Sequence, residues 1–408
     1  MKNTMNKNNT LEFFLNPKKI EDYYPDFLEI ILNENDTESA YQEIKNWKNY
    51  EPTKLISLDD LAKKTKVKKI YYKDESTRFG LGSFKALGGA FGVLQYVRKK
   101  LQDQMNHEIT LKDIKNGKYK DIVSNYVVST ATDGNHGRSV AYGAQIFGCQ
   151  CQIFIHSEVS EGRKNAMEEF GANVIRINGN YDDSLKVCID ESGKNNWQII
   201  SDTSYQGYTE YPRYIMGGYT VMAKEILDDF EECEFPTHIF LQAGVGGFAA
   251  AMCMRFWNTC FINKTKIIIV EPTLAPCLID SMKAGEIQIF DIKKETIMTG
   301  LSCGEPSILA WEILKNGADL FMTINDRNIP ELMRLLANGE GDDQPIEAGE
   351  CSVSGLAAIM AIQENKEISD VINLKHNSRV LIFGTEGATD PDIYDAIINE
   401  EIQTSSCD

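Results

Sequence analysis

Tyr72-Lys73-Asp74-Glu75-Ser76-Thr77-Arg78-Phe79-Gly80-Leu81-Gly82-Ser83-Phe84-Lys85-Ala86 passes from a strand-like run into a helix-like one through a turn that holds two glycines. Gly80 and Gly82 permit backbone angles closed to other residues, Ser83 is placed to cap the helix that follows, and Lys85 falls in its first turn. A cation at a helix N-terminus opposes the macrodipole, which costs stability and lowers the amine pKa, as a Schiff-base nucleophile requires. A lysine taken alone is far more often a solvated surface group. The turn around Lys85 is what sets it apart.

Outward from this stretch a regular alternation extends to the end of the chain. The spacing predicts strand Val67–Tyr72, helix Phe84–Leu101, strand Tyr126–Ser129, helix His136–Phe147, strand Gln152–Ile155, helix Glu161–Phe170 and strand Asn173–Ile177. It resumes with helix Tyr219–Phe230, strand His238–Gln242, helix Phe248–Trp257, strand Lys266–Val270, helices Ile308–Leu314, Ile329–Leu336 and Gly355–Gln363, and strand Arg379–Phe383. This order is α/β: mostly parallel sheets with helices on both faces and a site at the C-terminal strand ends. The first fifty residues are polar and Asn-rich, with one helical pattern at Glu38–Trp47. They read as an arm on a core that starts later, and no chemistry is legible in them.

Three further segments carry chemistry. Ser129-Thr130-Ala131-Thr132-Asp133-Gly134-Asn135-His136-Gly137 follows a β-rich run and opens a helix, so its amides and the Asn135 side chain converge at a sheet edge, where an anion or a polar ring would be held. It is also a plain turn and helix cap. Asp202 in Ser201-Asp202-Thr203-Ser204 ends a strand and reads equally as a cap. Gln242-Ala243-Gly244-Val245-Gly246-Gly247-Phe248-Ala249 joins strand to helix without a lysine, a phosphate cradle of bare amides. Gly244, Gly246 and Ala249 also fit the dinucleotide fingerprint, with Glu271 where a ribose-binding acid would stand. A dehydrogenase or regulator of that kind would leave Lys85 and the Asp133 segment unexplained.

The 408 residues include 42 Lys+Arg and 60 Asp+Glu, a net charge of −18, which makes nucleic acid a poor partner. With 42% hydrophobic and 25% charged residues the composition is globular, of two or three domains. The most apolar stretch, Ile239 to Met254, is too short for a membrane span and is broken by glycines. The N-terminus has no apolar signal-peptide core, so a cytoplasmic location is expected. Ten scattered cysteines make no disulfide framework, and Cys149 and Cys151 lack a second pair for zinc, so no metal is expected. Cys277 and Cys303 are read as independent thiols.

Together these segments resemble the fold-type II family of pyridoxal 5′-phosphate enzymes and, within it, the diaminopropionate ammonia-lyases. The resemblance runs from about Tyr72 to Asp392 and rests on Lys73-Asp74-Glu75-Ser76 with Arg78-Phe79-Gly80-Leu81, Ala131 to Gly137, and Gly300-Leu301-Ser302-Cys303-Gly304-Glu305-Pro306. It implies two open, mostly parallel twisted sheets with flanking helices. A larger cofactor-binding domain of residues 1–90 and 220–408 and a smaller one of 91–219 are expected, in a homodimer acting on a small amino acid.

By resemblance, Lys85 is the Schiff-base lysine, Asn135 bonds the cofactor's phenolic oxygen, Gly244, Val245, Gly246 and Gly247 hold its phosphate, and Thr385 of Gly384-Thr385-Glu386-Gly387 meets the pyridine nitrogen. The implied reaction is α,β-elimination of 2,3-diaminopropionate to pyruvate and two ammonia. Dehydratases of the family usually carry Ser where Asp133 stands; a carboxylate favours a second ammonium, worth a few kcal/mol at ~4 Å in a partly buried site. Asp133 and Asp202 are the expected acid–base and ammonium-binding groups, with Asp133 and Lys85 as bases on opposite faces. Gly82-Ser83-Phe84-Lys85 reads more like the dehydratase motif, and Glu350-Cys351-Ser352-Val353-Ser354-Gly355 also departs from the ammonia-lyase pattern. L-Serine or L-threonine dehydration is the alternative within the same cofactor chemistry.

Overall fold

The computed structural model describes residues 11–230, 234–259 and 265–400. Eleven strands among them form two sheets: β1 (Phe13–Leu15), β2 (Leu55–Ser57), β3 (Lys69–Asp74), β4 (Val127–Ala131), β5 (Gln150–Ile155), β6 (Asn173–Arg176), β7 (Gln198–Ile199), β8 (His238–Gln242), β9 (Lys266–Pro272), β10 (Leu320–Ile324) and β11 (Arg379–Gly384). The larger sheet has the order β1-β10-β9-β8-β11-β3-β2, and the smaller one β6-β5-β4-β7. All pairs are parallel except at the two edges of the larger sheet, where β1 and β2 run antiparallel. Both ends of the chain thus build one sheet and its middle builds the other.

Strands covered by helices on both faces read as unbroken apolar runs, and β8 shows why. Ile239, Phe240 and Leu241 are all fully buried, each worth roughly 1.5–3 kcal/mol by transfer from water. The helices Lys85–Met105 and Glu210–Asp229 cross in close contact. A Cβ on Gly218 would lie 2.3 Å from the Leu87 carbonyl and one on Gly88 2.3 Å from the Tyr219 ring, so only glycines allow this approach. The crossing places Tyr219 beside the first turn that carries Lys85.

Several expectations are corrected. The N-terminal segment is part of the core: β1 pairs with β10, and Leu28, Leu32, Ile44 and Trp47 are buried. Its helix spans Glu34–Ile44, started by the reciprocal Asn33–Asp36 capping box. The helix predicted from Tyr219 begins nine residues earlier, at Glu210, because Pro212 is tolerated in a first turn. Among the elements that the sequence reading leaves out are the helices Tyr181–Asn195 and Cys277–Ala284, and β10. No described helix is long and apolar enough to cross a membrane.

Candidate active site

Loops from both sheets leave the C-terminal ends of parallel strands and meet in one cleft. The turn after β3 is zipped to the segment after β11: Phe84 N–H donates to the Thr385 carbonyl (3.1 Å) and Gly387 N–H to that of Gly82 (2.9 Å). Behind it a buried ion cluster fixes the end of β3, with Lys73 Nζ 2.6 Å from Glu225 and the Arg78 guanidinium bonded to both Glu75 and Glu225. The Lys73 to Arg78 motif is therefore scaffolding under the Lys85 turn.

Lys85 is the first residue of its helix, and Ser83 Oγ accepts its N–H at 3.3 Å. Its Nζ pairs with Asp202, which follows β7 on the other sheet, and both side chains are only about a fifth exposed, 22% and 19%. Burial works against the ammonium, but Asp202 outweighs it and holds Lys85 above the usual lysine value. This reverses the lowered amine expected from the helix terminus alone, since a full charge in contact exceeds half a charge of dipole. Burial disfavours the Asp202 carboxylate too, yet Lys85 and then His136 bring it well below the usual range. His136 Nε2 donates to the Ile200 carbonyl (2.8 Å), and its Nδ1 lies 3.8 Å from Asp202.

Asp133 stands after β4 with its side chain 37% exposed and His156 Nε2, from the end of β5, 3.0 Å from Oδ1. The bond to Asp133 raises the His156 pKa against burial. Arg163 Nη1 donates to the Asp133 carbonyl (3.4 Å) and to Thr299 Oγ1 (3.2 Å), while its Nε approaches Asp390 (3.5 Å), so this guanidinium spans from the smaller sheet's helices to the larger sheet's loops. Asp133 and Asp202 follow the C-terminal ends of the neighbouring parallel strands β4 and β7. Burial and then the Asp202 charge push the Cys303 thiol up to about 12.

Gly244 to Gly246 link β8 to the helix Gly247–Trp257. Gly246 caps that helix at φ +97°, and a Cβ on Gly244 would lie 2.8 Å from Cys303 Sγ. The N–H groups of Gly244, Gly246, Gly247 and Phe248 meet no acceptor among the described residues, and the first helical bond is Ala250 to Gly246. Such a row at a helix start, without a basic side chain, suits a phosphate. Beside it on the adjacent strand, the buried Thr385 hydroxyl accepts from Gln242 Nε2 at 3.2 Å, which leaves its own proton to give to a ring nitrogen. Asn135 opens the helix after β4 and donates to Glu386. An amine, a hydroxyl donor, an amide donor and an amide cradle around one cleft fit pyridoxal phosphate. The dinucleotide alternative fails at Glu271, which is fully buried with both oxygens taken by Leu278 N–H (2.7 Å) and Ile279 N–H (2.8 Å).

Sequence reasoning passed over His156, Arg163 and Glu386, whose partners Asp133, Asp390 and Asn135 lie on other elements, which leaves no local pattern. Seven described cysteines, Cys277 and Cys303 among them, are free thiols, and no described cluster of His, Cys, Asp and Glu suits a metal.

Residues 47–374 match the family model described as pyridoxal-phosphate dependent enzyme. The diaminopropionate ammonia-lyase of Escherichia coli strain K12 is 36% identical over 355 residues, covering 86% of this chain and 88% of that protein. The crystal structure of the Escherichia coli diaminopropionate ammonia lyase with an aminoacrylate-PLP azomethine reaction intermediate superposes with a TM-score of 0.85 at 33% identity, over 96% of this chain and 97% of that one. Its complex with D-serine gives 0.86 at the same identity and coverage.

Proposed function

The chain belongs to the pyridoxal-phosphate dependent enzymes, in their diaminopropionate ammonia-lyase branch, and on that premise we propose that it converts 2,3-diaminopropionate and water to pyruvate and two ammonia using Lys85, Asp133 and Asp202. Its cofactor is pyridoxal phosphate and its reaction class is elimination. The observation that carries the reading is the ion pair of Lys85 with Asp202, with Asp133 and Asp202 following the ends of neighbouring parallel strands.

When bound, the cofactor supplies an electron-accepting ring in conjugation with the substrate α-carbon. The residues do the rest. Asp202 is a mostly buried carboxylate whose partner is the Lys85 ammonium, and where that amine would be taken up by the cofactor the carboxylate would favour another ammonium beside it. A substrate ammonium restores that pairing, and a hydroxyl cannot. Lys85 Nζ, once free, takes the α-proton on its own face, and Asp133 takes it on the other, steadied by His156. Two bases on two faces admit both enantiomers, in keeping with the D-serine bound to the Escherichia coli relative. Thr385 Oγ, kept neutral and donating, does not force a proton onto the ring nitrogen, which favours departure of the β-amine.

The test compares kcat/KM for D- and L-diaminopropionate and for serine and threonine, in wild type and Asp202→Asn. Wild type is expected to prefer diaminopropionate, and Asp202→Asn to lose about 10²-fold on both isomers with serine less affected, from a lost charge pair of about 3 kcal/mol. Faster turnover of serine or threonine in wild type rejects the substrate.

A further inference from the structure

Asn135 is held by a carboxylate that neither the motif nor the elimination chemistry accounts for. Its Nδ2 donates to Glu386 Oε2, while Glu386 Oε1 takes the Cys351 N–H at 3.2 Å. Glu386 is only 8% exposed and cannot swing away. Its backbone N–H donates to Ser352 Oγ (2.8 Å), the same hydroxyl donates to its carbonyl (2.6 Å), and that carbonyl accepts Gly349 N–H as well (3.0 Å). Gly349 closes the remaining side, since a Cβ there would stand 2.8 Å from Glu386 Cγ. An isolated bridge also pairs Glu386 with Ser83, two residues before Lys85.

A carboxylate accepts and does not donate, so it dictates which end of a carboxamide faces it. Turned over, Asn135 would set Oδ1 against Glu386 Oε2, two acceptors in contact. With Nδ2 facing Glu386 one of its two protons is used and the second remains. We propose that Glu386 is a positioning residue for the cofactor: it locks the Asn135 carboxamide in the orientation that presents an N–H, and not a C=O, to the phenolic oxygen of pyridoxal phosphate. This rests on the assignment of Asn135 to that oxygen. Glu386 touches no reacting atom and acts through Asn135 alone.

Glu386→Gln tests it without removing volume. Cys351 N–H is a fixed backbone donor, so the glutamine oxygen must face it, and the glutamine NH₂ then meets Asn135 and invites its carboxamide to flip. Apoprotein is titrated with pyridoxal phosphate, following the visible band, for wild type, Asn135→Ala, Glu386→Gln and the double variant, with thermal unfolding measured alongside. Loss of one hydrogen bond should weaken cofactor affinity about 3- to 10-fold in each single variant. The double variant should bind no more weakly than Asn135→Ala, because Glu386 has nothing left to orient. If Glu386→Gln does not fold, Glu386→Ala, which frees the carboxamide to rotate, takes its place in the same cycle with the same expectation. Asn135→Ala weakened but Glu386→Gln unchanged overturns the proposal while the Asn135 assignment stands. Equal further weakening by Glu386→Gln in the Asn135→Ala background also overturns it, since that marks a merely structural role. An unchanged Asn135→Ala removes the underlying assignment instead.

Discussion

Asp202→Asn should turn Lys85 from a strongly held ammonium into a reactive amine. The two charges are in contact, and at about 3 Å with an effective dielectric of about 20 their attraction is about 5 kcal/mol. Solvent reaches about a fifth of each side chain, which by screening leaves roughly 3 kcal/mol, or about 2 pKa units. With the partner neutral, the burial that already opposes the charge acts alone, so the Lys85 pKa should fall below the ordinary lysine value of 10.5. The assay is competitive acetylation of apoprotein across pH 7 to 11, with mass spectrometry of the Lys85 peptide against exposed lysines as internal standards. Wild-type Lys85 should label more slowly than the surface lysines at every pH, and the variant faster at pH 8. Identical pH profiles would refute the reasoning, because they would mean that Asp202 does not set the charge state of Lys85.

Three other perturbations are worked from the same geometry. Gly246→Ala should cost about 1–3 kcal/mol by unfolding and about tenfold in cofactor affinity, since φ +97° excludes alanine and its Cβ would press on Ala310 and Leu314 at 3.2 Å, inside the core and away from the cradle; unaltered cofactor titration would move the phosphate elsewhere. Asp133→Asn should lose most D-isomer turnover and less of the L-isomer, and an equal loss on both would discard the two-base mechanism. Glu271, lifted by burial to about 8 despite its two amide bonds, binds more protons folded than unfolded between about 4.5 and 8. Wild-type stability should therefore fall as pH rises through that window, by at most about 5 kcal/mol, and Glu271→Gln should flatten the slope in thermal melts.

How much of this was legible in the sequence depended on whether the signal was local. Ile239 to Gln242 and Ile267 to Val270 are buried on both faces, so their apolar runs announce parallel strands, and the glycines after β8 announce a turn into a helix. The lysine turn and the Asp-Gly-Asn segment were visible for the same reason. β10 was missed because Leu320 to Ile324, lying between two helices, looks like helix core by periodicity, and its strand character comes from pairing with β9 and β1. The helix Tyr181–Asn195 was missed although Asn180 and Asp183 form a capping box, because its apolar face is thin, with only Ser184, Cys188 and Ser192 buried. The charge state of Lys85 was misjudged because its partner lies 117 residues away. Lys73 and Glu225, 152 residues apart, show that a motif can be scaffold as readily as site.

The most direct test of the whole account is a product count. Holoenzyme given 2,3-diaminopropionate, with ammonia and pyruvate measured on the same samples and Lys85→Ala run in parallel, is expected to yield two ammonia per pyruvate, with no turnover in the variant. One ammonia per pyruvate, or undiminished turnover without Lys85, would contradict it.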